Sequence, residues 1–116
     1  MPGVVESHWR LRINAYTINP VKVIWDESKR LSNLAKHGLD FRDAVEVLES
    51  RFRLDVPVVR NGEARIFAIA YSAKFLAVLV AVMKDGDEIR IISFRHASEE
   101  EREVYYEWLE NDYEDD

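Results

Sequence analysis

The chain of 116 residues has no cysteine, which excludes disulfides, zinc–thiolate sites and thiol catalysis and agrees with a reducing compartment. Histidine is sparse as well. His8, His37 and His96 are scattered, with no His-x-x-x-His or Glu-x-x-His pair, so neither a metal nor another cofactor is expected. Long apolar runs are missing. The longest, Phe75 to Met83, is far too short to span a bilayer, and Met1 to Pro20 lacks a basic start followed by an unbroken apolar run. A cytoplasmic protein is the expectation. There are no repeats or low-complexity linkers, and no helix-turn-helix signature or basic recognition helix, so direct DNA binding is not expected.

Positive charge is also in short supply. Lys and Arg number 16 against 22 Asp and Glu, a net charge of −6, which speaks against a phosphate-rich partner until the chain is divided. Residues 21–98 carry 13 basic against 11 acidic side chains, whereas residues 99–116 carry one Arg against 10 acidic ones. The acidity is therefore terminal, and the body is mildly basic and compatible with local RNA contact. Asp112 to Asp116 reads either as a solvated end or as a screen for a basic site.

What is present is a well-punctuated series of elements. Val21 to Trp25 reads as a strand leading directly into a helix over 26–37, capped by Asp26, with Leu31, Leu34 and Ala35 as its buried stripe and Gly38 as its left-handed stop. A second helix follows Asp40, with Phe41, Ala44, Val45 and Leu48 on one apolar face. From Arg51 the period changes to two, giving a strand through Val56 with Pro57 at its edge or end. Asn61-Gly62 signals a tight hairpin into a strand over 63–72. Phe75 to Met83 is apolar on both parities, as a central strand requires, and Asp85-Gly86 turns it into a fourth strand, Glu88 to His96. Ser98 with Glu101 forms a capping box for a helix carrying Val104, Tyr105, Trp108 and Leu109. The order β-α-α-β-β-β-β-α gives an α+β domain, a twisted antiparallel sheet with two N-terminal helices and one C-terminal helix.

Lys36 and His37 occupy the last turn of the first helix, where the helix dipole favours cations and should raise the pKa of His37. A basic last turn is also what any helix prefers. Along Glu88 to His96, Ile89, Ile91, Ser93 and Arg95 share one face and Arg90, Ile92, Phe94 and His96 the other, so Arg90 and Arg95 cannot both aim at one phosphate without a bulge. Metal-free chemistry at a phosphate needs a base for the attacking hydroxyl, donors for the charge growing on phosphate, and an acid for the leaving oxygen. The donors chosen are Arg65 and Arg95, with His37 transferring the proton and Lys36 contacting phosphate, roles that can be exchanged. Plainer roles compete: Arg65 paired with Glu63 or Asp55, Arg95 paired with the acidic C-terminal helix, and His96 as a surface residue or an alternative acid or base. Tyr105 reads as core.

The series Asp26…Asn33…Lys36-His37-Gly38…Phe41…Ala44, followed by Gly62-Glu63-Ala64-Arg65 and Asp87-Glu88-Ile89-Arg90-Ile91-Ile92-Ser93-Phe94-Arg95-His96-Ala97, resembles the BrnT family, toxin halves of bacterial type II toxin–antitoxin pairs. The resemblance covers roughly residues 21–106. It implies a small RelE-like fold, metal-independent endoribonuclease activity that inhibits growth, and the site residues Lys36, His37, Arg65 and Arg95. As partners it implies an RNA substrate and a BrnA-like antitoxin, with DNA engaged only through that antitoxin and a homodimer or a toxin–antitoxin heterotetramer as the assembly. Residues 1–20 lie outside the family pattern. They form an N-terminal extension, in which His8 to Tyr16 alternates in part as an edge strand or is disordered; residues 21–110 are the toxin-like domain and 111–116 the acidic tail. The alternative expectation is a catalytically inactive binding module, because Ala70-Tyr71-Ser72-Ala73 replaces a glycine-containing turn and Val82-Met83-Lys84 a polar stretch usual in the family, and because the tail is unusually acidic.

Overall fold

In the computed structural model, which describes residues 2–7 and 21–111, the sheet holds six strands in the order β1-β2-β6-β5-β4-β3. Strand β1 (Pro2–Ser7) pairs antiparallel with β2 (Val21–Asp26). The segment His8 to Tyr16 and the tail Asp112 to Asp116 lie outside the described residues. Next come α1 (Glu27–His37), α2 (Phe41–Leu48), β3 (Leu54–Arg60), β4 (Glu63–Ser72), β5 (Leu76–Asp85), β6 (Glu88–His96) and α3 (Glu99–Asn111). The sheet is antiparallel except at β2 and β6, which run parallel over Lys22↔Glu88 to Ile24↔Arg90. The exception follows from connectivity, since both helices and the β3–β5 meander intervene before the chain returns beside β2.

The turns obey local chemistry. Asn61 and Gly62 take φ of 53° and 78°, so the β3–β4 hairpin closes with both central residues left-handed, matching the strand twist. Pro57 lies within β3 opposite Ile66, tolerated because β3 is the sheet's outer strand. The β4–β5 turn has no glycine, and Leu76 adopts φ 66° instead, an exposed leucine in a conformation that its Cβ disfavours. Ser72 Oγ accepts from the N–H groups of Lys74 and Phe75 there.

Two apolar layers cover the sheet. On one face Phe41, Ala44, Val45, Val47 and Leu48 of α2 pack on Val78, Val80, Val82, Ile89, Ile91 and Phe94. On the other, Tyr105 with Trp108 and Leu109 of α3 packs on Ile69, Ala77, Leu79 and Ala81. Central β5 is accordingly buried from Ala77 to Val82. The Tyr105 hydroxyl donates to Phe52 O at 2.7 Å, so its burial leaves no unmet polar group. Val104 stays exposed, outside the packed stripe.

Helix α1 overturns the expected stripe. Leu31 and Leu34 are 54% and 37% exposed and Ala35 is exposed too, while Arg30 and Asn33 are buried. The reason is position. With no loop between β2 and α1, the helix continues β2 along the edge of β6, and what it meets there is strand backbone rather than an apolar face. Arg30 bridges Glu27 (2.6 Å) and Asp40 (3.0 Å), tying the start of α1 to the N-cap of α2. Both ions shift accordingly: Glu27 is lowered by its bonds from Arg30 and Trp25, and Arg30 is raised chiefly by Glu27.

Candidate active site

The edge of β6 beyond Arg90 has no partner strand on the β2 side, and Asn33 supplies one in miniature. Its amide donates to Phe94 O at 2.8 Å and to Leu39 O at 3.0 Å, and its carbonyl accepts from Phe94 N at 3.1 Å. One turn further on, α1 ends at Gly38 (φ 72°), whose N–H bonds Leu34 O at 2.9 Å. This ending brings His37 beside Arg95 and His96, close enough for their charges, with that of Lys36, to act on the imidazole.

The expected upward shift of His37 is thereby reversed. Burial, followed by the positive charges of Lys36, Arg95 and His96, lowers its pKa below the ordinary value of 6.5. The helix dipole favours the imidazolium, but burial and three like charges outweigh it. The shift favours the neutral ring, the form able to accept a proton.

Arg95 is held in a fork. Glu101 receives its two terminal nitrogens at 2.7 and 2.9 Å, and Arg95 also donates to His96 O at 3.2 Å. Glu101 is at the same time the capping-box residue of α3, accepting from Ser98 N at 2.8 Å while Ser98 Oγ accepts from Glu101 N at 3.2 Å. Arginine bonding is the main reason that the Glu101 carboxyl falls to about 2, and the same pair raises Arg95. The sequence pointed separately to the capping box and to a pairing of Arg95 with the acidic helix; one carboxylate does both.

Arg65 is elsewhere. Arg95 stands opposite Leu79, which stands opposite Ile69, and Arg65 is four residues from Ile69 on β4. Two strand spacings and four residue rises separate the Arg65 and Arg95 backbones by about 16 Å. The structure therefore assembles Lys36, His37, Arg95 and His96 at one corner and leaves Arg65 outside it. Arg65 meets Glu63 at 3.5 Å, and Asp55 is taken by Arg53 at 2.8 Å. Two participants were not assigned by sequence reasoning. Asn33 looks like an ordinary mid-helix polar residue until β2 is known to lie beside β6, and Arg90, outside the corner, reaches the α3 side of the sheet only through a β-bulge at Ile92. Among the described residues no group of three or more His, Asp or Glu is arranged to hold a metal ion.

A neutral imidazole among cations suits proton abstraction next to a phosphate, whose charge the cations can hold as it grows. Beside Glu101, a groove of about 280 Å³ runs under the start of α3, with Val56, Phe67, Ile69 and Leu79 as its floor.

A family model described as the ribonuclease toxin BrnT of type II toxin–antitoxin systems matches residues 25–101. No curated protein sequence matches the chain. Among solved structures, the crystal structure of the Brucella abortus ribonuclease toxin BrnT is similar at 33% identity and a TM-score of 0.50, over 65% of this chain and 94% of that one.

Proposed function

Since the chain belongs to the BrnT family of ribonuclease toxins of type II toxin–antitoxin systems, we propose that it is an endoribonuclease that cleaves RNA without a metal at the His37–Arg95 corner. The observation that carries this reading is the approach of His37, at the end of α1, to Arg95, at the end of β6, with the imidazole biased toward its neutral form. His37 takes the proton of a 2′-hydroxyl, the oxygen attacks the adjacent phosphorus, and the bond to the 5′-oxygen breaks. A 2′,3′-cyclic phosphate and a free 5′-hydroxyl result. Arg95 and Lys36 hold the charge of the pentacovalent state, where a preorganised donor contributes about 3 kcal/mol to lowering the barrier. The leaving oxygen takes its proton from Lys36 or from His96. Arg65, outside this corner, contacts RNA rather than the reacting phosphate.

Family membership implies an antitoxin partner. In our reading it is BrnA-like, restrains growth inhibition by the toxin and carries any contact with operator DNA. No helix among the described residues is long and apolar enough to cross a membrane.

One observation favours the second reading, a binding module without activity: the bidentate engagement of Arg95 by Glu101, which phosphate would have to displace. The deciding experiment is cleavage of an end-labelled, partly single-stranded RNA in EDTA by wild type and by a folded His37→Ala, Arg95→Ala double variant. Cleavage by wild type alone, leaving a cyclic phosphate, is expected. Cleavage by neither, also in the presence of ribosomes, supports the binding module, and equal cleavage by both removes the site from this corner.

A further inference from the structure

Strand β6 does not keep the alternation that its sequence suggests. Ile91 pairs with Val82 but Ser93 pairs with Ala81, so Ile92 is an extra residue and the strand carries a β-bulge. Before the bulge Ile89 and Ile91 face α2, and after it Phe94 does. Arg90, opposite Met83, therefore points to the same side as Ser93 and Arg95, the α3 side. On β4, Phe67 and Ile69 also face that side, and Arg65 shares their parity. Extending the β4–β5 register by one residue past Ile66↔Val82 sets Arg65 opposite Met83. Arg65 and Arg90 thus flank Met83 in one cross-strand row, their backbones about 10 Å apart.

Three observations make this row a receptor for anions. The Arg65 Nε is, among the described residues, the one buried side-chain polar atom without a hydrogen-bond partner, a donor still waiting for an acceptor. Its contact with Glu63 is long at 3.5 Å, and the carboxylates facing the row, Glu63 and Asp85, are each 53% exposed, so their ion pairs are weak and displaceable. Arg60, opposite Glu63 in the next row of the same face, lies over the Phe67 ring at 5.6 Å and adds a third guanidinium there. With Arg60, Arg65 and Arg90 set against Glu63, Asp85 and Glu88 the face is balanced in charge, and a phosphate binds there by displacing exposed carboxylates.

We propose that Arg65 and Arg90, brought to one face by the β6 bulge, form a phosphate clamp for single-stranded RNA, separate from the His37–Arg95 corner. This rests on the ribonuclease reading only for the direction in which the RNA runs. The clamp contacts backbone, so it sets affinity and substrate length rather than base preference. A substrate too short to reach from the corner to the clamp binds no better with it than without it.

The test uses an all-2′-O-methyl oligonucleotide, which has no 2′-hydroxyl to attack, so binding is read by fluorescence anisotropy independently of cleavage. Arg90→Gln and Arg65→Gln are each expected to weaken binding about fivefold to tenfold at low salt. Each should also reduce the slope of log affinity against log salt by about 0.7. Arg90→Lys restores most of the affinity, and Lys74→Gln, in the β4–β5 turn, changes nothing. On cleavable RNA the same variants raise KM and leave kcat unchanged. Far-UV circular dichroism and thermal melting confirm that the variants are folded. Wild-type affinity and slope in both variants would overturn the clamp while leaving the ribonuclease reading intact, and would turn attention to an acidic protein segment as the occupant. Binding through the clamp without any cleavage would uphold the clamp and remove the ribonuclease. No binding and no cleavage by wild type would end both.

Discussion

Asn33 closes both polar backbone groups of Phe94, donating to its carbonyl at 2.8 Å and accepting from its N–H at 3.1 Å. A single side chain thus replaces the strand that β6 lacks beyond Arg90, and it fixes how far α1 travels along the edge before His37 is reached. Asn33→Ala leaves two backbone groups of Phe94 and the Leu39 carbonyl without their partner. A destabilisation of about 2–4 kcal/mol is expected, measured by urea denaturation. Asn33→Asp keeps the acceptor and loses both donated bonds, so it is expected to fall well short of rescue.

The His37 imidazole is lowered by burial and by Lys36, Arg95 and His96. Its folded pKa lies below the unfolded one, so its contribution to stability is present above the unfolded value of 6.5 and is lost as pH falls through the folded value. Titration followed by NMR should place the His37 midpoint below 6.5, and Lys36→Gln and Arg95→Gln should each move it upward. The acidic limb of kcat/KM for RNA cleavage should follow the same midpoint in all three proteins. A limb that stays put while the NMR midpoint moves would assign the base to another group.

Glu101, held at about 2 by Arg95, contributes stability that is fully present above its ordinary value of 4.5 and lost as pH falls toward 2. Because the pair is partly exposed, Glu101→Gln is expected to cost about 1 kcal/mol at pH 7. The two proteins should converge in stability near the acid end of that window, in denaturant titrations repeated along the pH scale. The same substitution frees Arg95 for phosphate, so RNA affinity should rise.

Leu76 sits at φ 66° with 59% of its surface exposed. Asn tolerates this left-handed region better than leucine does, and little buried area is lost. Leu76→Asn should therefore stabilise the protein by about 0.5 kcal/mol, seen as a raised Tm.

Much of the architecture was legible because it depends on short-range chemistry. Asp26, Gly38, Asp40, Asn61-Gly62 and the Ser98–Glu101 box each act within four residues, and each sits where sequence placed it. The α2 stripe was legible for a related reason, since that helix lies on a sheet face, where periodicity is an honest signal. Helix α1 failed that rule because it lies on a sheet edge, where buried polar residues are the useful ones. Leu31 and Leu34 carry the same periodicity whether the helix rests on a face or beside an edge. In the candidate site, Lys36, His37 and Arg95 were marked by residue type, but the exclusion of Arg65 from the corner and the turning of Arg90 to its face required register. Neither the strand order nor the bulge at Ile92 is written in any local pattern.

The corner also has an order of birth. Its helix is made early in synthesis and its strand late, with β3, β4 and β5 between them, and the carboxylate that holds Arg95 comes last of all. A ribosome that has released only the first two thirds of the chain therefore carries Lys36 and His37 without their partner. The corner is therefore assembled only when the final strand is laid against α1.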